Sequence, residues 1–178
     1  NAQPVLLTSS IAVWDVWRAQ ADAPAFVAGH SLGEYTALIV AGMLSFADGI
    51  VLVRERARLM QEAGKKLPGG MAAIIGLDLV SLEEICQETG TQMANINSPE
   101  QVVISGASQG LAWAMDLAKA RGARRVIRLT VSGAFHSFLM KSAIQGLETA
   151  LLQCQFSSPK IPIIANTSAQ PKLTIEEV

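Results

Sequence analysis

Apolar and polar residues alternate along the chain with two different periods, and the change of period divides it. Residues 4–19 place Val5, Leu6, Ile11, Val13 and Trp14 in a helical pattern, with Pro4 near the first turn. "PAFVAG", residues 24–29, is a short apolar run that predicts a strand ending at Gly29. The chain then passes through Ser31 into a helix, and a second helix is expected from about Phe46 to Ala63. "GKKLPGG" gathers glycine and proline and marks a lobe boundary. Beyond it "MAAIIGL" reads as a strand, "SLEEICQET" as a helix, "TQMANIN" and "QVVISG" as strands, "QGLAWAMDLAKARG" as a helix and "RRVIRLTVS" as a strand. That order is βαββαβ. A long helical pattern, "FHSFLMKSAIQGLETALLQC", and a buried strand, "KIPIIAN", complete the chain. The expected organisation is an α/β fold with a large subdomain over 1–68, a small one over 69–131 and a return to the large one over 132–178. No internal repeat or low-complexity segment interrupts it.

Residues 35–53, "YTALIVAGMLSFADGIVLV", are about as long as a membrane-spanning helix requires. Asp48, two glycines and "SFAD", in which Ser45 can cap the amide of Asp48, point instead to two buried helices joined by a turn. The same capping pattern is expected at Ser81 with Glu84. The chain has 178 residues, half of them apolar, and a formal net charge of −1, enough to bury a core. Its charges are dispersed, so composition gives no sign of a nucleic-acid partner. Cys86 and Cys154 form no ligand motif and read as reduced packing residues of a cytosolic protein rather than a disulfide. An Asn1 start without a basic leader, and an end at Val178 inside a helix-like "TIEEV", lead us to expect a fragment of a longer protein.

The chemistry concentrates at Gly29-His30-Ser31-Leu32-Gly33, which fits G-x-S-x-G between a strand and a helix. In that context a sharp turn exposes the serine hydroxyl, backbone amides such as that of Leu32 face the space above it, and the helix N-terminus adds partial positive charge. The pentapeptide alone could equally be a glycine-rich turn with a buried or capping serine; its strand and helix flanks favour a nucleophile. A neutral serine needs a base. Of the two histidines, His30 adjoins Ser31, where side chains diverge, and reads as support for the turn. His136, in "VSGAFHS", is the remaining candidate, although alone it could be a histidine without a task.

"QPVLLTSS", "GHSLGEYTALIVAG", "FADGIVLVRERARLMQEA", "GGMAAIIGL", "NINSPEQVVISG" and "VSGAFHS" together resemble the malonyl-CoA:acyl carrier protein transacylases, the acyltransferase family of fatty-acid and polyketide synthesis. The resemblance implies an α/β hydrolase-like core with an inserted ferredoxin-like subdomain. It places the nucleophile on Ser31 and the general base on His136. It places the arginine of the family's R-x-x-x-M segment on Arg56, four residues before Met60, where a guanidinium can grip the free carboxylate of malonate. Arg54 and Arg58 lie on other faces of that helix, and Glu62 is positioned to meet Arg58. Phe135 before the histidine and Leu32 after the serine match the malonyl-type pattern, since a bulky ring crowds an α-methyl group. Asn97, with Asn95, and Gln3 are possible binding residues and equally possible caps.

The activity so implied is transfer of malonyl from malonyl-CoA to the pantetheine thiol of acyl carrier protein through a malonyl-serine ester. No metal or redox cofactor is expected, nor a nucleic-acid or membrane partner; a monomeric cytoplasmic enzyme is, either discrete, which the bacterial-type motifs favour, or one domain of a multienzyme. Lys65, Lys66, Arg124 and Arg125 are candidates for guiding an acidic carrier protein. The family's front segment, with a "GQGSQ"-type turn supplying a second oxyanion amide, and its C-terminal part are not in these residues. Three other readings stay open. A serine hydrolase would want an acid, for which Asp78 is the tempting residue. A patatin-like hydrolase would use an Asp-Gly pair such as Asp48-Gly49. A non-catalytic docking domain of a synthase would need none of Ser31, Arg56 and His136.

Overall fold

A computed structural model describes residues 2–177. These fall into two compact units, one of residues 1–57 and 147–178 and the other of residues 58–146. Both divisions fall inside helices, whereas the boundaries expected from the Gly-Pro cluster and from the last lobe strand lie at 68/69 and 131/132.

The first unit contains α1 (Ala2–Trp17), β1 (Val27–Ala28), α2 (Gly33–Val40), the start of α3 (Phe46–Lys66), the end of α6 (Lys141–Leu152), β6 (Ile163–Ile164) and β7 (Pro171–Lys172). Its sheet has the order β1-β6-β7; β1 and β6 are parallel, with Val27 opposite Ile163 and Ala28 opposite Ile164. The expected strand at 24–29 is thus only two residues long, because only Val27 and Ala28 find a ladder partner. The 35–53 stretch is two helices, as its polar interruptions predict. Gly42, at φ 75°, turns the chain between them, a conformation open to glycine at little cost. Ser45 Oγ accepts the Asp48 N–H at 3.0 Å at the start of α3. Among the described residues no helix is long and apolar enough to cross a membrane. Ala37, Leu38, Ala41, Met43, Leu44, Leu52 and Ile163 form this unit's core.

The second unit contains β2 (Gly69–Ile75), α4 (Leu79–Thr89), β3 (Gln92–Ser98), β4 (Gln101–Ala107), α5 (Ser108–Ala120) and β5 (Arg125–Arg128). The βαββαβ order is present, as an antiparallel sheet ordered β3-β4-β2-β5. Each βαβ pair therefore has a strand inserted between its members. Alternation along β2 sends Ala72 and Ile74 toward Leu82, Ile85, Leu111 and Ala114 of α4 and α5. Met71 and Ala73 face the other side, where Val103, Leu129 and Phe135 pack. Burial of a leucine or isoleucine is worth about 1.5–3 kcal/mol, so the helix-covered face is the main source of this unit's stability.

Three local expectations change. The cap of α4 is Asp78, one turn before the expected Ser81: its carboxylate accepts the Ser81 N–H at 2.9 Å and the Ser81 hydroxyl at 2.7 Å. The long pattern after residue 135 is interrupted, with a 3-10 turn (Phe138–Met140) before α6, because Ser137 caps that turn. "TIEEV" forms a turn instead of a helix; the Glu177 carboxylate accepts the Leu173 and Thr174 N–H groups at 2.8 and 3.2 Å, and Val178 lies outside the described residues.

Candidate active site

Ser31 stands where β1 has ended and α2 is about to begin, with φ 53°. For a residue with a Cβ that is a sparsely populated conformation, one that surrounding contacts must hold. The turn closes through the Gly33 N–H on the His30 carbonyl at 2.9 Å and the Glu34 N–H on the Ser31 carbonyl at 3.2 Å. Its two glycines have different reasons to be there. A Cβ on Gly29 would sit 1.9 Å from the Gly33 carbonyl oxygen, whereas one on Gly33 would meet nothing within 4 Å. Close backbone approach therefore demands glycine only at position 29. His30 is exposed, and Leu32 directly precedes the first residue of α2.

Arg56 projects from α3 and is only 8% exposed, while Arg54 and Arg58 are exposed. The helical period separates them: positions two apart are about 200° around the axis. One guanidinium nitrogen of Arg56 donates to Ser31 Oγ at 3.0 Å and another to Gln3 Oε1. Its carbon lies 5.5 Å from the centroid of the Tyr35 ring, a cation–π distance. Burial pushes the Tyr35 phenol above its ordinary range, with Arg56 pulling the other way. Among the described residues no carboxylate forms an ion pair with Arg56. Arg58 pairs with Glu62, as its spacing predicts. The structure thus brings Gln3, Ser31 and Arg56 together, three residues singled out from the sequence. It adds Tyr35, which sequence reasoning missed.

Asn166 is a second addition. Its Oδ1 accepts the Ser31 N–H at 3.2 Å, its Nδ2 donates to the Gly29 carbonyl, and its own N–H reaches Glu34 Oε1 at 2.9 Å. The same unit holds an apolar groove of about 520 Å3 bordered by Trp14, Trp17, Phe26 and Val40. Among the described residues no charged side chain lines it, so nothing there grips a carboxylate.

In the second unit His136 also has a positive φ, 58°. Its turn is fixed by Ser137, whose hydroxyl donates to the Ala134 carbonyl at 2.6 Å and accepts the Leu139 N–H at 3.3 Å. The Phe138 N–H is taken by Gln92 Oε1 of β3. Phe135 packs with Met71, Ala73 and Val103, and Met60 is half-buried. Asn97 is exposed at the irregular end of β3, and Asn95 is half-buried. Asp78 is consumed as a helix cap, and Asp48 shares its carboxylate with the Ser45 hydroxyl at 2.8 Å; both are accounted for without chemistry. Arg124 is paired with Glu100 at 2.6 Å. Among the described residues no group of three or more His, Cys, Asp or Glu side chains could hold a metal ion.

Comparison with known proteins agrees with this geometry. The family model described as "Acyl transferase domain" matches residues 1–177. A malonyl CoA-acyl carrier protein transacylase of Bacillus subtilis (strain 168) is 48% identical over 174 residues, covering 95% of this chain and 55% of the relative. That of Escherichia coli (strain K12) is 44% identical over 175 residues, 96% of this chain and 57% of the relative. The chain therefore spans a little over half the length of these relatives. Among solved structures, the malonyl-CoA:acyl carrier protein transacylase of Xanthomonas oryzae pv. oryzae superposes with a TM-score of 0.94 at 40% identity, over 99% of this chain and 58% of the other. A malonyl-transacylase in complex with its type II PKS acyl-carrier protein gives 0.93 at 41% identity, over 98% and 58%. The elbow serine, the buried arginine beside it and the family match over nearly every residue have one common reading: the chain belongs to the acyl transferase domain family.

Proposed function

We propose that the protein carrying this chain transfers a malonyl group from malonyl-CoA to the pantetheine thiol of acyl carrier protein through an ester on Ser31. One observation carries this reading. Arg56 is a buried guanidinium, 3.0 Å from the Ser31 hydroxyl, that no carboxylate pairs among the described residues. A buried cation is stable only when paired or hydrogen-bonded, and its neutral partners leave it free to take an anion. An acyl chain joined to Ser31 Oγ and ending in a carboxylate two carbons from the ester carbonyl would reach it. Malonyl has that length and charge.

In the first half-reaction His136, as base, removes the Ser31 proton while Oγ attacks the thioester carbon, and the charge developing on the carbonyl oxygen is met by backbone N–H groups including that of Leu32. The C–S bond breaks, CoA leaves as a thiol with the proton that imidazolium returns, and malonyl-Ser31 remains. In the second half the carrier-protein thiol gives its proton to His136 and attacks the ester, restoring Ser31 and forming malonyl-carrier protein. Arg56 grips the acyl carboxylate through both halves, with Gln3 and Tyr35 orienting the guanidinium. Phe135, Leu32 and Met60 are assigned to the acyl pocket and Asn97 to its rim. The reaction as written uses no cofactor.

The fold accompanying this reading is a hydrolase-like α/β core with a ferredoxin-like insertion over about 69–131, supported by the parallel β1–β6 pair beside the elbow and the βαββαβ sheet. A discrete, monomeric cytoplasmic enzyme, docking an acidic carrier protein near Lys65, Lys66 and Arg125, is the corresponding assignment. The test is the intact mass of the full-length protein after brief exposure to malonyl-CoA, beside its Ser31→Ala and His136→Ala variants. A malonyl adduct absent from Ser31→Ala and slow to form in His136→Ala is expected. An adduct that persists without Ser31, or thioester hydrolysis that does not favour carrier protein, would replace this reading with another.

A further inference from the structure

Ser31 holds a left-handed backbone conformation inside a hydrogen-bonded turn. The two hydrogen bonds closing the turn use the N–H groups of Gly33 and Glu34, both C-terminal to Ser31. The N–H of Ser31 is held from elsewhere in the chain. Parallel pairing sets Val27 beside Ile163 and Ala28 beside Ile164, so the residues following each strand also emerge side by side. Two residues beyond β6 that register delivers Asn166 to the elbow. The orientation of its amide is dictated by its partners. Ser31 offers an N–H, which only Oδ1 can accept, and Gly29 offers a carbonyl, which only Nδ2 can satisfy. The primary amide therefore spans the elbow from the residue before the histidine to the nucleophile. Its own backbone is tied by Glu34 on the first turn of α2.

We infer that Asn166 is a positioning residue for the nucleophile: its side-chain amide pins the left-handed Ser31 backbone from both sides and so aims Oγ. This rests on the reading of Ser31 as the acylated residue. The clamp also occupies the Ser31 N–H, leaving the Leu32 N–H as the elbow's donor to a developing oxyanion. An elbow released from it can rotate about Ser31, and displacement of a reacting atom by about 1 Å is enough to lose on the order of 10²-fold in rate.

Two substitutions separate positioning from mere folding. Asn166→Ala removes both hydrogen bonds. Asn166→Asp keeps an acceptor for Ser31 but sets a carboxylate oxygen against the Gly29 carbonyl; protonation turns that oxygen into a donor and restores the pattern of the amide. The experiment follows single-turnover formation of malonyl-Ser31 in the full-length protein by intact mass, with Ser31→Ala as control. For Asn166→Ala the acylation rate is expected to fall roughly 10- to 100-fold while the half-saturating malonyl-CoA concentration changes less than about twofold. For Asn166→Asp the rate divided by that of the unsubstituted protein is expected to rise several-fold from about pH 8 to about pH 5, as the new carboxyl gains its proton. The shared titration of the catalytic base cancels in this ratio. Acylation of Asn166→Ala at the original rate, or an Asn166→Asp ratio flat with pH, would overturn the inference; if Asn166→Ala does not fold, the Asp ratio decides alone. An adduct surviving in Ser31→Ala would instead remove the underlying nucleophile assignment, an outcome the other variants cannot mimic.

Discussion

Replacing Arg56 by alanine tests the carboxylate grip, and its size follows from the contacts. The substitution removes the hydrogen bonds to Gln3 and Ser31 and the stacking over Tyr35. With acyl group bound it also removes a planar two-bond clamp on the distal carboxylate. A hydrogen bond to a charged group contributes about 1.5–3 kcal/mol, and two in one clamp are not additive, so about 3–4 kcal/mol of malonyl-specific stabilisation is at stake. At about 1.4 kcal/mol per tenfold, this is on the order of 10²–10³ in the acylation rate constant kcat/KM for malonyl-CoA. Acetyl-CoA carries no carboxylate and loses only the support given to Ser31 itself. Dividing the malonyl effect by the acetyl effect cancels that support and isolates the clamp. Arg56→Lys keeps the charge but not the fork, and falls between. The assay is single-turnover acylation of the full-length protein with each thioester, read by intact mass. An Arg56→Ala variant with an unchanged malonyl-to-acetyl ratio would refute the clamp, and an Arg56→Lys variant equal to the original would show that charge alone suffices.

Other expectations follow from individual contacts. Gly29→Ala forces a Cβ to within 1.9 Å of backbone and should destabilise by about 3 kcal/mol or more, whereas Gly33→Ala, with open space and a helix start to occupy, should leave stability unchanged or raise it by up to about 1 kcal/mol; equal urea midpoints for the two variants would contradict this. Tyr35 has a raised phenol pKa, so its folded form disfavours the phenolate: the contribution is complete below the ordinary value of 10.0 and is lost as pH rises through the higher folded value. Tyr35→Phe should retain the ring over Arg56 and remove this alkaline loss, and an identical alkaline decline in denaturant titrations would count against it. Asp78 is opposite in sign, its carboxylate held low chiefly by the Ser81 N–H, so its contribution is present above the ordinary 3.8 and lost as pH falls through the depressed value. Asp78→Ala should lower the unfolding temperature at neutral pH, converge with the original protein in acid, and leave acylation of Ser31 intact; loss of acylation without loss of stability would reopen its role as a catalytic acid.

What could be read from the sequence was whatever short-range chemistry decides. The elbow follows from Gly29 and Ser31 between an apolar run and a helix, whereas Arg56 by itself reads as one more surface charge on its helix and is singled out only by the family resemblance. The antiparallel lobe follows from alternating runs separated by helical ones. What could not be read depends on contacts between distant segments. Asn166 meets Ser31 across 135 positions, and nothing in "IIANTS" distinguishes its amide from that of an ordinary loop asparagine. Tyr35 reads as one apolar position among many on α2, and its place under Arg56 exists only once α2 and α3 pack. The run at 24–29 predicts a longer strand than forms, because an apolar run says nothing of how many residues will find a partner; only Val27 and Ala28 do. At α4, Asp78 outcompetes Ser81 because its carboxylate can accept the amide and the hydroxyl of Ser81 together.

Backbone strain supplies an independent line to the same residues. Among the described non-glycine residues, positive φ occurs at Ser31, His136 and Ala169. Each costs of the order of 1–3 kcal/mol and survives only where the surroundings over-determine it. In the first unit the surroundings are the Asn166 amide at Ser31. In the second they are Ser137 and Gln92, which take up the hydrogen-bonding groups around His136. Ala169 belongs to the loop that presents Asn166, and its N–H closes that loop on the Ala165 carbonyl at 2.9 Å. Two of the three strained positions are thus the residues assigned to nucleophile and base, and the third shapes the support of the nucleophile. A fold selected for packing alone would have filled such turns with glycine, as it does at Gly42, Gly76, Gly90 and Gly122. A hydroxyl and an imidazole there, with hydrogen bonds fixing the backbone at Ser31 and beside His136, are intelligible if their side chains must point where an unstrained backbone would not send them.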